Sequence, residues 1–421
     1  MGIYLNPENI DFQKSLNSEI YIDKTELIAY TNKKLNTEQG YICVSRPRRF
    51  GKSMAANMLT AYYSRGCDSR RLFQGLKIAT HPDFEKHLNQ YNVIHLNMQN
   101  FLSKTQTIEQ MIALVTKAVG RDLLRAYPDV DYLDKTILTF MLDDIYQDCQ
   151  VPFIFIIDEW DCIFRSRKNQ LEEQTKYLDF LRDLLKDKSY IALAYMTGIL
   201  PIKKYGEHSA INVFYEYSMT DASPIEEFTG FTEQEVQQLC KQYNMPFSET
   251  KKWYDGYCVD GVSIYNPKSV VEAMLRGKFS NYWTQTETYE ALKIYIQSNE
   301  FGVQDVILKL LAGEKEKIDT TTFSNDMVTF ATKDDVLTLL VHLGYLTYNA
   351  ETKEIWIPND EVMKQFISTV KVMGWGSVVT ALETSEKLLQ ATLSGDEETV
   401  AELIEQAHQA NASILKYKFE K

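Results

Sequence analysis

The sequence has no apolar run long enough to cross a membrane. Its longest strongly apolar stretch, VPFIFII at 151–157, falls far short of the ~20 residues that a span needs. Its six cysteines (Cys43, Cys67, Cys149, Cys162, Cys240 and Cys258) contain no C-x-x-C pair, and its histidines form no H-E-x-x-H, so a structural zinc site has little support. Unpaired thiols suit a reducing compartment. The N-terminus, MGIYLNPENIDFQK, lacks the apolar core of a signal peptide, and Asn6 stands where a myristoylation signal places Ser or Thr. A cytoplasmic location without membrane attachment is expected. An excess of basic charge is also missing: 45 Lys and Arg against 58 Asp and Glu give a net charge of −13. That argues against a chain built mainly to coat nucleic acid, while leaving room for a local basic site. No internal repeat or low-complexity linker interrupts the chain.

What is present is a globular composition. A hydrophobic share of 44% over 421 residues supplies the apolar surface that disordered chains lack, and the length suffices for two or three domains. Residues 41–45, YICVS, are short, apolar and β-prone, and run into a basic loop, SRPRRFGKSM at 45–54. Met54, Ala55, Met58, Leu59 and Tyr62 then recur at helical spacing. Strand, loop and helix in that order form the context of a phosphate-binding loop, G-x-x-x-x-G-K-[ST]. Gly51-Lys52-Ser53 supplies the second half of the pattern, but Arg46 stands where the first glycine belongs.

In such a loop successive backbone N–H groups and a helix N-terminus face the anion, a lysine adds a point charge, and a hydroxyl holds Mg²⁺. Lys52 and Ser53 have those roles available, and a side chain at Gly51 would keep the backbone away from phosphate. The tripeptide alone also fits an ordinary helix start. The weight comes from FIFIIDEWD, where a buried strand ends in Asp158-Glu159 about a hundred residues later. Asp158 can join Ser53 in holding Mg²⁺, and Glu159 can orient a water for attack on a γ-phosphate. Acidic residues after a strand also cap helices, but the conjunction is rarer than either part.

A third strand, YIALAYMTG at 190–198, ends in Thr197-Gly198, placing Thr197 to sense the γ-phosphate or simply to end the strand. Arg46, Arg48 and Arg49 fit contacts to phosphate or to a neighbouring subunit's nucleotide, or else a solvated loop with internal salt bridges. Arg165 and Arg167 are candidate arginine fingers, with surface helix positions the stronger reading. Asp161 is either a support to the acidic pair or merely helical. His95 and His208 have no identifiable partner and read as structural.

The strands at 41–45, 92–98, 151–158 and 190–198 alternate with helical segments, which predicts an α/β fold with a parallel sheet covered by helices on both faces. This domain, with its N-terminal lead-in, spans 1–225. Residues 226–333 read as a mainly helical region, with a capping box at Thr232 and Glu235 and a turn at Asn266-Pro267. Residues 334–376 read as a winged-helix-like module: a helix stopped by Gly344, strands 345–348 and 354–357, and a new cap at Asn359. Residues 377–421 form an acidic helical tail with a second capping box at Ser394 and Glu397.

Together SRPRRFGKS, FIIDEWD, AYMTGILPIKK, FTGFTEQEV, WYDGY and IYNPKSV resemble the AAA-ATPase-like family of bacteria and some anaerobic fungi. YIDKTELI, NYWTQT, GYLTY and IPNDEV extend the resemblance over nearly the whole chain. That family's loop reads R-P-R-R-F-G-K-[ST], so the missing glycine is the family's own pattern. The resemblance implies ATP and Mg²⁺ as cofactors, with Arg46, Arg48, Arg49, Phe50, Gly51, Lys52, Ser53 and Met54 forming the phosphate loop. It further implies Ser53 and Asp158 as metal residues, and Glu159 and Thr197 as catalytic ones. Family members commonly continue into a PD-(D/E)XK nuclease-like domain. This chain stops at ASILKYKFEK, which looks like the lead-in to it, so no nuclease assignment is expected for these 421 residues. The expected function is an ATP-hydrolysing switch, with oligomerisation or a protein partner at its helical C-terminal half as the expected modes of association. The alternatives are a nucleotide-gated scaffold without turnover and a phosphoryl-transfer kinase on the same loop; the acidic pair favours water activation over the kinase.

Overall fold

The computed structural model describes residues 2–202, 211–283, 293, 294, 296, 300–323, 330–374 and 376–418. His208 lies outside the described residues. Five parallel strands form the central sheet: β1 (Tyr41–Ser45), β2 (Asn92–Asn97), β3 (Phe153–Asp158), β4 (Ile191–Gly198) and β5 (Tyr215–Tyr217), in the order β2-β3-β4-β1-β5. The four strands read from the sequence are present, and β4 lies between the lysine-loop strand β1 and the aspartate strand β3. The fifth was missed. Its segment, YEY, is three residues long and at most half-buried at the sheet edge, so it carries no apolar run to read.

Side chains alternate across a strand with period two, and the core divides accordingly. Phe153, Phe155 and Ile157 of β3 join one apolar cluster, while Ile154 and Ile156 join the other. On the second face lies α2 (Lys52–Tyr63), which follows α1 (Ile10–Leu16) in the chain; on the first lie α3 (Ile108–Ala126), α4 (Leu138–Cys149) and, after the short α5 (Cys162–Ser166), α6 (Leu171–Leu185). In α3 the buried Ile108, Met111, Val115 and Val119 recur every three or four residues, giving one apolar stripe.

Beyond residue 225 the described residues are mostly helical but include two small sheets of three strands each. Phe231–Thr232, Val262–Tyr265 and Tyr257–Val259 make the first. Thr232 and Glu235 close a capping box on α7 (Glu233–Gln242), and Asn266 caps α8 (Pro267–Arg276), accepting from the Ser269 N–H. Next, α9 (Lys333–Leu343) stops at Gly344, the strands Thr347–Asn349 and Glu354–Trp356 pair antiparallel, and Asn359 caps α10 (Asp360–Val372). Glu316–Lys317 adds a third strand to that hairpin. One cap differs from expectation. The Ser394 hydroxyl donates back to the Ala391 carbonyl, and Asp396 instead accepts from the Thr399 N–H at 3.1 Å. The last helix starts at Glu397, so its N-cap is the residue just before it, and Ser394 lies two positions too early.

Candidate nucleotide site

The phosphate-type loop leaves β1 at Ser45, where the Arg46 N–H donates to the Gly198 carbonyl at the end of β4. Gly51 has φ +85 and caps α2, and, its chain neighbours aside, no atom lies within 4 Å of where its Cβ would stand. The helix N-terminus therefore opens onto a hollow. Lys52, the first helical residue, curls back over the loop and donates from Nζ to the carbonyls of Arg46 and Pro47, both at 2.9 Å. Burial pulls its pKa down, and the carboxylates of Glu159, Asp158 and Asp161 act against that. Ser53 Oγ donates to Asp158 Oδ2 at 2.7 Å.

Asp158 gathers the C-terminal ends of three adjacent strands. Asn97, its register partner on β2, donates from Nδ2 at 3.2 Å, and the Thr197 hydroxyl from β4 donates to Oδ1. Thr197 is fully buried and spends its proton on Asp158. The next residue, Glu159, has φ +56, which turns the backbone and aims its carboxylate toward Arg165, with which it forms an ion pair. Arg165 Nε also pairs with Asp161 Oδ2 at 3.1 Å, and the same oxygen accepts the N–H groups of Ile199 and Leu200 at 3.0 and 2.9 Å. Burial lowers the Arg165 pKa, but Asp161 and Glu159 more than offset this and leave it above its ordinary value. Arg165 is thus an inward-facing member of the site rather than a surface helix residue. Asp161 is its fully buried anchor.

The arginines of the loop part company. Arg46 is 1% exposed and donates from Nη1 to the carbonyls of Ser45, Tyr217 and Ser218 at 2.9–3.0 Å. It ties β1 to the end of β5, away from the hollow, and burial pushes its pKa down to about 10. Arg48 and Arg49 line the cavity, as do Met54 and one side of Phe50. The Phe50 ring meets Tyr257 edge-on with centroids 5.1 Å apart. His95 is partly buried beside the Thr60 hydroxyl, which lies 3.1 Å from its Nδ1.

The hollow belongs to a cavity of about 1040 Å³ that continues past the loop. Its far wall is apolar: Phe12 from α1, Ile20 and Ile22, Phe231 and Val271. Two lysines border it. Lys24 pairs with Glu235 at 2.6 Å, and Lys268 sits in the first turn of α8. YIDKTELI, FTGFTEQEV and IYNPKSV contain Ile22, Lys24, Phe231 and Lys268, but no cavity role is read from them; they come from the lead-in and from residues 228–271, and only folding brings them together.

For Mg²⁺, the Ser53 hydroxyl and the Asp158 carboxylate present two hard oxygen ligands side by side. Among the described residues no group of three or more His, Cys, Asp or Glu side chains could hold a metal ion. Two protein oxygens completed by phosphates and water suit Mg²⁺, which keeps part of its hydration shell.

A parallel sheet with an extra strand between the loop strand and the aspartate strand, and a helix N-terminus opening beside Lys52, Ser53 and Asp158, defines a P-loop ATPase-like, nucleotide-binding fold. Residues 10–206 match the model of the AAA-ATPase-like family, described as predicted AAA-ATPase. A protein of Azotobacter chroococcum mcd 1, named as an uncharacterized protein in the vnfD 5′ region, is 23% identical over 276 residues, 64% of this chain and 51% of that protein. The chain therefore spans about half the length of that relative. Among solved structures, the Aeropyrum pernix ORC2 protein in ADPNP–ADP complexes is 12% identical with a TM-score of 0.36, covering 85% of this chain and 97% of that one. AMPPCP-bound DnaA from Aquifex aeolicus is 8% identical with a TM-score of 0.28, covering 87% and 94%. At such scores no detail of those molecules transfers.

Proposed function

We propose that the chain binds Mg-ATP and hydrolyses it, acting as a nucleotide-driven switch. The observation that carries this reading is the contact between the Ser53 hydroxyl and Asp158 at the open N-terminus of α2, beside Lys52. The triphosphate lies along the loop, and the apolar far wall of the cavity takes the base. Lys52 exchanges the carbonyls of Arg46 and Pro47 for phosphate oxygens. Mg²⁺, when bound between Ser53 and Asp158, supplies charge neutralisation at the phosphates. Glu159, released from Arg165, orients the attacking water. Thr197 acts through Asp158, which it fixes.

Equilibrium binding of Mg-ATP to wild type and Lys52→Ala tests the site. A charge-assisted contact is worth ~1.5–3 kcal/mol, so affinity should fall roughly ten- to a hundredfold. Absence of binding by wild type would remove the reading. For turnover, Glu159→Gln should retain ATP unhydrolysed, and unchanged hydrolysis would take Glu159 out of its role. A second reading, a nucleotide-gated scaffold without turnover, draws on the Glu159–Arg165 pair, which occupies the carboxylate that hydrolysis needs. Multiple turnovers by purified protein would decide against it.

A further inference from the structure

The loop is braced from behind by the C-terminal half of the chain. The Arg48 carbonyl accepts two donors from distant residues, Trp283 Nε1 at 3.3 Å and Asn266 Nδ2 at 3.4 Å. The Phe50 carbonyl accepts the Gly230 N–H at 3.0 Å. Tyr257, edge-on to Phe50, donates its hydroxyl to the Gly344 carbonyl at 2.9 Å. Gly344 has φ +87, and a Cβ there would stand 2.7 Å from Pro47 Cβ and 3.2 Å from Trp283 Cζ2. The loop and the C-terminal half thus meet at van der Waals contact, with no space for one methyl group.

A bracing contact would be purely local if it ended at Trp283, but it does not. The backbone N–H groups of Tyr282 and Trp283 both donate to Glu361 Oε1, at 2.6 and 2.9 Å. Glu361 is 2% exposed and lies in the first turn of α10. One residue, Trp283, therefore touches the phosphate loop through its ring and α10 through its backbone N–H. Burial raises the Glu361 pKa, opposed by those N–H donors; its carboxyl is held in place by contacts that leave it little freedom to rearrange alone.

Loops of this type usually use glycine where this chain has Arg46, whose side chain is already committed to β5. The first position of the loop has lost that freedom, and the middle of the loop is held at the Arg48 carbonyl by Asn266 and Trp283. We infer that Asn266 and Trp283 are positioning residues of the nucleotide loop, and that the Trp283–Glu361 connection couples occupancy of the loop to α10. The inference rests on the loop binding nucleotide. Coupling is reciprocal: if nucleotide shifts the Arg48 carbonyl, α10 must respond, and a change at Glu361 must alter nucleotide affinity although Glu361 itself has no hydrogen bond to the loop.

Hydrogen exchange of the full chain, with and without saturating Mg-ATP, tests this in wild type and Trp283→Phe, with binding measured in parallel. In wild type, nucleotide should slow exchange in both 46–56 and 360–372. Trp283→Phe keeps a ring but removes the N–H donor. It should weaken binding about fivefold, the loss of one neutral hydrogen bond, and at saturation protect the loop while the response of 360–372 disappears. Should Trp283→Phe fail to fold, Glu361→Gln keeps the side-chain shape, weakens the acceptor, and should reduce both affinity and the helix response. A loop protected by nucleotide with 360–372 unchanged in wild type would overturn the coupling, as would an equal helix response in both variants. No protection anywhere and no binding would instead remove the nucleotide reading, and the coupling with it.

Discussion

Replacing Arg165 by Met separates the two carboxylates that it holds. Asp161 is fully buried, and the Arg165 side chain is 13% exposed, so their pair is cut off from solvent. Removing one partner of a buried pair leaves the other charge uncompensated, at about 3–5 kcal/mol. The N–H groups of Ile199 and Leu200 still reach Asp161, which places the cost near the lower end, about 3 kcal/mol. Glu159, at 24% side-chain exposure, can turn toward water, and a pair with access to solvent contributes roughly 0.2–1 kcal/mol. A double-mutant cycle distinguishes the two: Arg165→Met with Asp161→Asn should show strong coupling, and Arg165→Met with Glu159→Gln weak coupling. The readout is thermal unfolding of the nucleotide-free chain. At roughly 2–4 °C per kcal/mol for domains of this size, the single Arg165→Met change should lower Tm by about 6–12 °C. A larger coupling to Glu159 than to Asp161 would refute the assignment of Asp161 as anchor. A negligible fall in Tm would refute the buried pair itself.

The remaining expectations concern the rest of the scaffold. His342 is 2% exposed, and burial, with Arg46 nearby, pushes its pKa down to about 3. Because the unfolded chain binds the proton more readily, the stability from the neutral ring is complete above about pH 6.5 and is lost as pH falls toward the folded value, at up to about 1.4 kcal/mol per pH unit. Urea midpoints from pH 7 to 4 should therefore fall more steeply in wild type than in His342→Phe; parallel slopes would contradict this. Gly344→Ala should both destabilise the chain and weaken Mg-ATP binding, since the methyl group meets Pro47 on the loop; unchanged affinity in a folded variant would show that the loop tolerates the displacement.

The sheet and the loop were legible because their signals are local. YICVS, FIFIID and IALAYMTG are runs of buried residues bounded by loops, and Gly51-Lys52-Ser53 marks the helix start by its chemistry alone. Capping at Thr232 and Asn359, and the turn at Asn266 that leads into α8, were legible for the same reason. The role of Arg46 was not, because the carbonyls that it satisfies belong to Tyr217 and Ser218, and nothing near Arg46 in sequence announces them. Arg165 was read as a surface residue because helical spacing records distance along a helix and not what packs over it. The apolar cavity wall escaped for a third reason: no local pattern singles out Phe12, Ile20, Phe231 or Val271, and only their convergence makes a site.

Ser53 and Thr197 both donate to Asp158, yet the surroundings assign them different work. Ser53 is exposed at the mouth of the cavity, so water can replace its hydroxyl on Asp158, and Asn97 and Thr197 remain as donors. Ser53→Ala should leave Tm within about 1–2 °C of wild type, the scale of a surface substitution, while lowering the Mg²⁺-dependent part of ATP binding. Thr197 is buried, and Asp158 is 3% exposed. Removing this hydroxyl takes a donor from Asp158 Oδ1, the oxygen that faces the fully buried Thr197 rather than the cavity mouth, at about 1.5–3 kcal/mol. Thr197→Val, similar in shape, should therefore lower Tm even without nucleotide, and Thr197→Ser should restore it. If Thr197→Val left Tm unchanged and altered only hydrolysis, Thr197 would act on the substrate directly, and its bond to Asp158 would be a resting contact exchanged on binding. Equal losses of stability in Ser53→Ala and Thr197→Val would mean that solvent access does not separate the two donors, and the division of labour argued from burial would fail.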